Sequence, residues 1–201
     1  MPKKQMARIK PGKNTTRKEL ITRKAATLFK SKGYAVASMR DLAESIGVEA
    51  PSLYNHIGSK SEILRSICFT VAGSFTSHLE QTLQGTDPIL HKVASIIRFH
   101  IGMMLNDFDA VYVSNHDWKH LDEPYLSDFL NQRREYERKF VQLIQEGARR
   151  GEIKDTDPYV VVLTILSAVR GLEFWQHHKK NISTDNLENN MVDHLLNGIA
   201  K

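Results

Sequence analysis

The sequence predicts an all-α protein: an N-terminal unit of three helices with a helix-turn-helix layout, followed by a larger C-terminal helical domain. Three observations carry this. Apolar residues recur at i, i+3, i+4 and i+7 in one segment after another. Helix starts are marked by Ser or Thr three residues before an acid and by Asp-Pro or Glu-Pro pairs, and several stops by glycine. No stretch sustains the period-2 alternation or the short turn signal of a β-hairpin, and no internal repeat is visible.

The first helix opens with Thr16 and Glu19 in a capping-box spacing, carries Ile21, Ala25, Leu28 and Phe29 on one face, and ends at Gly33. Ser38 and Asp41 open the second, whose apolar face is Met39, Leu42, Ala43 and Ile46. Gly47 suits the left-handed residue past a helix end, Val48 plugs the turn, and Pro51 sits near the start of the third helix, where its missing N–H costs nothing. Leu53 and Ile57 then point to the core, with Ser52, Asn55 and His56 on the opposite face and Tyr54 on the flank. A helix with so short and polar an outer face can approach base edges in a major groove. Ser59 and Glu62 open a fourth helix carrying Lys60 in its first turn. A lysine there opposes the helix dipole, which makes sense beside an anion such as a DNA phosphate.

Beyond residue 65 the expected helices follow in order. Leu64, Ile67, Val71, Phe75 and Leu79 stripe the connecting helix; Asp87-Pro88 starts the one bearing Val93, Ile96, Ile97, His100, Ile101 and Met104. A shorter aromatic piece runs through Phe108, Tyr112 and Trp118. Glu123-Pro124 opens a long helix with Phe129, Arg133, Tyr136, Phe140 and Ile144, ending by Gly151. Asp157-Pro158 begins a helix reaching about His178, apolar nearly all round from Val160 to Val169, and Thr184 with Asp185 starts the last, with Leu187, Met191 and Leu195. A helix apolar all round is buried on more than one side. One side is expected against its own core, the other against its twin in a second copy, aided by the last helix, giving a two-fold homodimer.

Charge agrees with this division. The chain carries a net charge of +5, but residues 1–65 hold fourteen Lys or Arg against five Asp or Glu, and the rest is net acidic. The positive field thus sits on the end expected to meet phosphates. Residues 1–14 read as a flexible basic arm, 15–65 as the DNA-binding domain, and 66–201 as the ligand-binding and dimerisation domain, joined inside the helix after Lys60. One cysteine, Cys68, excludes an intrachain disulfide and is expected to be a small buried hydrophobe in a reducing compartment. The longest mainly apolar run, Tyr159 to Val169, is shorter than a bilayer span needs, and the N-terminus lacks a secretory apolar region. The chain is therefore expected in the cytoplasm, without a membrane partner.

The elements Ala25-Ala26-x-Leu28-Phe29, Gly33-Tyr34, Met39-Arg40-Asp41-Leu42-Ala43, Gly47-Val48, Leu53-Tyr54-Asn55-His56 and Ser59-Lys60-x-Glu62-x-Leu64 match, in register, the DNA-binding domain of the TetR family of bacterial transcriptional repressors. The chain resembles that family over residues 15 to 65. Two positions depart from its pattern: Glu49 stands where serine is frequent and Ile57 where phenylalanine is usual. The resemblance implies a homodimeric, non-enzymatic repressor without a cofactor, released from an inverted-repeat double-stranded DNA operator by a small-molecule effector. Ser38, Tyr54, His56 and Lys60 are expected to hold phosphates, and Arg40, Glu49, Ser52 and Asn55 to face bases. Trp118-Lys119-His120-Leu121, Arg133-Arg134-Glu135-Tyr136-Glu137 and the stripe through Phe140, Leu143 and Ile144 are loosely similar to family members that respond to acyl-CoA or related lipid thioesters.

For the effector, Phe99, Met103, Tyr112, Trp118, Tyr136, Phe140, Arg170 and Phe174 are the candidate lining, with His100, Met104, Phe108 and Trp175 as further members and Glu173 as a polar contributor. Arg170 lies in the most apolar helix, where an unpaired charge is costly, so it is expected to pair with Glu173 or with an anionic ligand. His116 and His120 suggest the rival reading. Their i, i+4 spacing lets a helix present two imidazoles to a metal, as a helical metal-dependent hydrolase with non-specific nucleic-acid contact would require. The sequence identifies no third ligand, His100 being the one candidate, and contains no P-loop, Rossmann fingerprint or nucleophile elbow.

Overall fold

A computed structural model of the chain describes residues 16–177 and 182–201; the basic arm expected over residues 1–14 and the end of the helix expected near His178 lie outside the described residues. Among the described residues ten α-helices succeed one another: α1 Arg17–Lys32, α2 Met39–Ile46, α3 Ala50–Tyr54, α4 Lys60–Gln84, α5 Ile89–Asn106, α6 Phe108–His116, α7 Tyr125–Arg149, α8 Pro158–Arg170, α9 Leu172–His177 and α10 Thr184–Ile199. A 3-10 turn, Trp118–His120, follows α6. Among the described residues no strand forms; Ile153 and Ala200 make one isolated antiparallel bridge.

Local chemistry sets the helix ends. Reciprocal capping boxes close on Thr16 with Glu19 and on Ser38 with Asp41. Gly47 ends α2 in the left-handed conformation at φ 75°, where any side chain would be strained. At α4 the Ser59 hydroxyl accepts from Glu62 N, while the Glu62 carboxylate accepts from the Gly58 N–H at 2.8 Å and pairs with Lys18. Pro88 cannot cap α5 with a side chain, and Glu152 does so from a distant loop, accepting from Ile89 N at 2.7 Å. Asp157 caps α8 through the amides of Tyr159 and Val160.

Two buried clusters divide the molecule. In the head, Ile21, Ala25 and Phe29 of α1 meet Leu42 and Ala43 of α2, Leu53 of α3, and Ile63, Leu64, Ile67 and Cys68 of α4. Val113 of α6, Leu121 and Phe129 of α7 complete this cluster from the body, so the head is packed onto its support. The body core gathers Val71 and Leu79 of α4, six residues of α5, Phe140, Leu143 and Ile144 of α7, and Val161, Val162, Ile165 and Val169 of α8. Gly147 lets the end of α7 pass there, since a Cβ would lie 2.6 Å from Ile153 and 2.8 Å from Ile89. Cys68 is buried as expected, and burial pushes its thiol up to about 12.

The helix expected from Pro158 to His178 is instead broken at Gly171 into α8 and α9. Pro158–Trp175 is long and apolar enough to cross a membrane by composition alone, yet Val161, Val162, Ile165 and Val169 of that stretch pack into the core. Its other side is uncovered: Tyr159, Val160 and Leu163 are 50–54 % exposed and Phe174 76 %.

Candidate nucleic-acid interface and effector cavity

In the head, α3 is fixed by Leu53, which is buried, and by the turn that follows it, where His56 N and Ile57 N both donate to the Leu53 carbonyl. The helix ends at Tyr54, one turn earlier than the sequence suggests, so Asn55 and His56 stand on the exposed turn beyond it while Ile57 still reaches the core. Ser52 is half-buried, and Arg40, Tyr54, Asn55 and His56 are exposed. Glu49 is the N-cap residue of α3 but makes no side-chain cap bond, leaving its carboxylate on the surface. Ser38 is committed to α2: its hydroxyl donates to Asp41 Oδ2 at 2.7 Å and accepts from Asp41 N. A hydrogen bond from Lys32, with those from Ser38, holds the Asp41 carboxyl well below the usual carboxylate range.

Lys60 is the surprise of this region. Its ammonium donates to the carbonyls of Tyr34 and Ala37, both at 2.9 Å, and sits 4.4 Å from the centre of the Tyr34 ring. The charge that the sequence assigns to phosphate is thus engaged by the α1–α2 turn. On its other side Tyr34 stacks on His120, ring centres 5.2 Å apart, and its N–H donates to the Asp117 carboxylate. A second tie joins head to body where Thr27 of α1 donates to Asp109 of α6 at 2.6 Å and Lys30 pairs with the same carboxylate.

In the body, α4, α5, α6, α7 and α8 enclose a cavity of about 120 Å³. Val71, Ala72, Phe75, Met104, Val111, Phe129, Leu166 and Val169 form the apolar part of its wall. Its polar groups are Ser114 and Asn115 of α6, His100 of α5, Gln132, Arg133, Tyr136 and Glu137 of α7, Thr76 of α4 and Arg170 of α8. His100 Nε2 and the Tyr136 hydroxyl are hydrogen-bonded at 2.6 Å, and the imidazole lies on the Phe75 ring. Burial, reinforced by Arg170, drives the His100 pKa down to about 3, so this pair is neutral at ordinary pH. Burial likewise raises the Tyr136 phenol.

Of the eight residues expected to line this cavity, Tyr136 and Arg170 do so. Phe99 and Met103 line a separate open groove with His78, Ser95 and Arg98. Tyr112 packs between Phe108 and His116, Trp118 packs against the head cluster, Phe140 is wholly buried in the body core, and Phe174 is on the surface. Helical periodicity selects a buried face but not which part of it borders a void. Arg133, Gln132 and Glu137 were missed; the usable signal was a charged residue within the apolar stripe of α7, the same signal that singled out Arg170. Glu173 does not pair with Arg170: its carboxylate is 2.9 Å from His116 Nε2.

The two histidines do not share a helix face. α6 stops at His116, whose imidazole turns to Glu173, and His120 belongs to the following turn and stacks on Tyr34. Among the described residues no group of three His, Cys, Asp or Glu is placed to hold a metal.

The sequence pattern described as "Bacterial regulatory proteins, tetR family" matches residues 21–67, and that described as "Tetracyclin repressor-like, C-terminal domain" matches residues 86–199, more than half of the chain. The chain belongs to the TetR family. It is a DNA-binding transcriptional regulator of the kind that family comprises, and the family's members are regulators rather than enzymes. Among its TetR-family relatives, the HTH-type transcriptional repressor KstR2 of Mycolicibacterium smegmatis is 25% identical over 150 residues, covering 74% of this chain and 73% of that protein. The ketosteroid transcriptional regulator KstR2 of Mycobacterium tuberculosis superposes with a TM-score of 0.86 at 18% identity, over 94% of this chain and 98% of that one. AibR, solved in complex with isovaleryl coenzyme A and operator DNA, gives a TM-score of 0.78 at 20% identity, over 90% and 98%. These two structural likenesses are likenesses of fold.

Proposed function

We propose that this TetR-family protein is a cytoplasmic, homodimeric repressor that leaves an inverted-repeat operator when an amphipathic effector, of the acyl-CoA type, inserts its acyl end into the cavity between α4 and α8. The observation that carries this reading is the position of α6. Val111, Ser114 and Asn115 on α6 form one wall of the cavity, while Asp109 near its start holds Thr27 and Lys30 of α1. A ligand that displaces α6 therefore pulls on the head through short polar ties. An effector shifts the equilibrium only by its different affinity for the two head positions, and α6 is where that difference arises.

The uncovered side of α8, with Tyr159, Val160 and Leu163, supports pairing with a second copy across a two-fold axis, to which α10, packed on α5, would add its outer face. Two heads then meet half-sites about 34–36 Å apart along the duplex, or close to that. Within each head Arg40, Glu49, Ser52 and Asn55 face bases and Tyr54 and His56 hold phosphates, with the rim around Ser38 beside them. Lys60 shapes the head from behind instead. The domain division near residue 65 is a division of labour along α4: its first turns belong to the head cluster and Leu79 to the body. The acyl-CoA class is supported by the loose sequence similarity in α7 and by a cavity whose wall joins apolar side chains to polar and charged ones, as an amphipathic ligand needs.

The test is mass spectrometry of small molecules retained by the native protein, followed by addition of each hit to a DNA-binding assay. Recovery of an acyl thioester that dissociates the complex at stoichiometric levels is expected. A retained compound that binds the protein and leaves DNA affinity unchanged contradicts the effector reading.

A further inference from the structure

Two guanidinium groups face the cavity, Arg133 from α7 and Arg170 from α8. Among the described residues neither makes a hydrogen bond or an ion pair, and the contacts of Arg133's charge are with the ring faces of Phe129 at 5.7 Å and Trp118 at 6.0 Å. Glu137 lines the same wall one turn beyond Arg133 and forms no ion pair with either arginine among the described residues. The remaining basic group in the wall, His100, is neutral. Arg133 is half-buried and Arg170 exposed, and the Glu137 carboxylate acts on Arg133 without forming an ion pair. A half-buried charge with no ion pair is costly, and a second positive charge beside it repels. We propose that Arg133 and Arg170 form an anion subsite that seats a carboxylate or phosphate of the effector, its apolar chain lying against Val71, Ala72, Met104 and Val111. This rests on the effector cavity proposed above and adds which part of the ligand the protein reads.

The electrostatics agree. Burial, and then the neighbouring Arg170, hold the Arg133 pKa below the usual guanidinium value, and Arg170 is among the groups that depress His100. A bound anion relieves both strains, and guanidinium is the cation suited to gripping a planar carboxylate or a phosphate at two points. Because both arginines stay charged, affinity for an ionised probe should be flat between about pH 6 and 8.

Calorimetric titration of the full-length protein with octanoate, octanoyl-CoA, coenzyme A alone and methyl octanoate tests the subsite. At least one charged probe should bind about tenfold or more tightly than the uncharged ester, and Arg133→Met and Arg170→Gln should each remove that preference, Arg133→Lys keeping part of it. Preference for octanoate identifies the carboxylate as the seated group; preference confined to octanoyl-CoA and coenzyme A identifies the phosphates. Loss of a half-buried charge that has no ion pair should leave the melting temperature of Arg133→Met equal to or above wild type. A fall of several degrees with loss of all probes assigns Arg133 to packing and overturns the proposal. It is also overturned if methyl octanoate binds as well as the charged probes, if the variants keep the preference, or if no probe binds. Tight anion binding without release of DNA leaves the subsite standing and rejects the effector role.

Discussion

Lys60 at the junction of the head and Arg133 in the body are both cations drawn out of water, and they are treated in opposite ways. Lys60 has protein acceptors: the carbonyls of Tyr34 and Ala37 and the Tyr34 ring take up its charge. Arg133 meets aromatic faces, a second arginine and the charge of Glu137, with which it forms no ion pair. The head is thus internally neutralised where it is built and keeps its unspent polar groups on the α3 rim. The body keeps unpaired charge at the cavity wall. A region finished by its own contacts is a tool of fixed shape, and a region left incomplete is completed by something else.

The pH axis separates the two regions most strongly. His100 is held neutral in the folded body, with a pKa of about 3, whereas in the unfolded chain it takes a proton near pH 6.5. The unfolded state therefore binds more protons between these values, so stability is full above about pH 6.5 and falls as pH drops toward 3, by several kcal/mol in all. His100→Gln should flatten that slope in chemical denaturation curves; an unchanged slope means the imidazole is not the source. In the head Asp41 acts later, since a lowered carboxylate pKa gives stability that is present above about pH 4 and lost below it. Asp41→Asn should alter only this acid limb of the melting profile.

Lys60→Met comes next. It leaves two carbonyls without their donor, at about 2–3 kcal/mol or a melting temperature lower by about 5–10 °C. Affinity for specific and random DNA should fall together in a binding titration, because the turn that sets α2 has moved. A variant with normal stability and reduced salt dependence would instead place Lys60 against phosphate. Asn55→Ala should change preference at one base pair by about 1–3 kcal/mol, read by competition with substituted duplexes, with stability unaffected. The smallest effect is Ser38→Ala, about 1 kcal/mol in denaturation for loss of the α2 cap.

The head was largely legible in the sequence because its rules are local. The capping boxes at Thr16 and Ser38, the left-handed Gly47 and the buried Leu53 and Ile57 each depend on neighbours within a few residues. The exception was Lys60, whose acceptors lie 26 and 23 residues away in the chain. The body was legible as helices but not as a cavity. Phe140 and Tyr136 share one stripe of α7, yet the first is core and the second is wall, because α4, α5 and α8 decide where space remains. The break at Gly171 also escaped the pattern, since Leu172 continues the apolar run and is buried. His116 shows the same limit: a spacing that suits a metal on paper is cut by a helix end at Asp117.

Selection of binding sites from a pool of random duplexes by the full-length protein, at low ionic strength and without added small molecules, tests the central claim most directly. The account predicts enrichment of a two-fold symmetric sequence with half-sites spaced by about one helical turn, retained by wild type and altered at one position in each half by Asn55→Ala. Recovery of unrelated sequences, or of a single unpaired half-site, would contradict it.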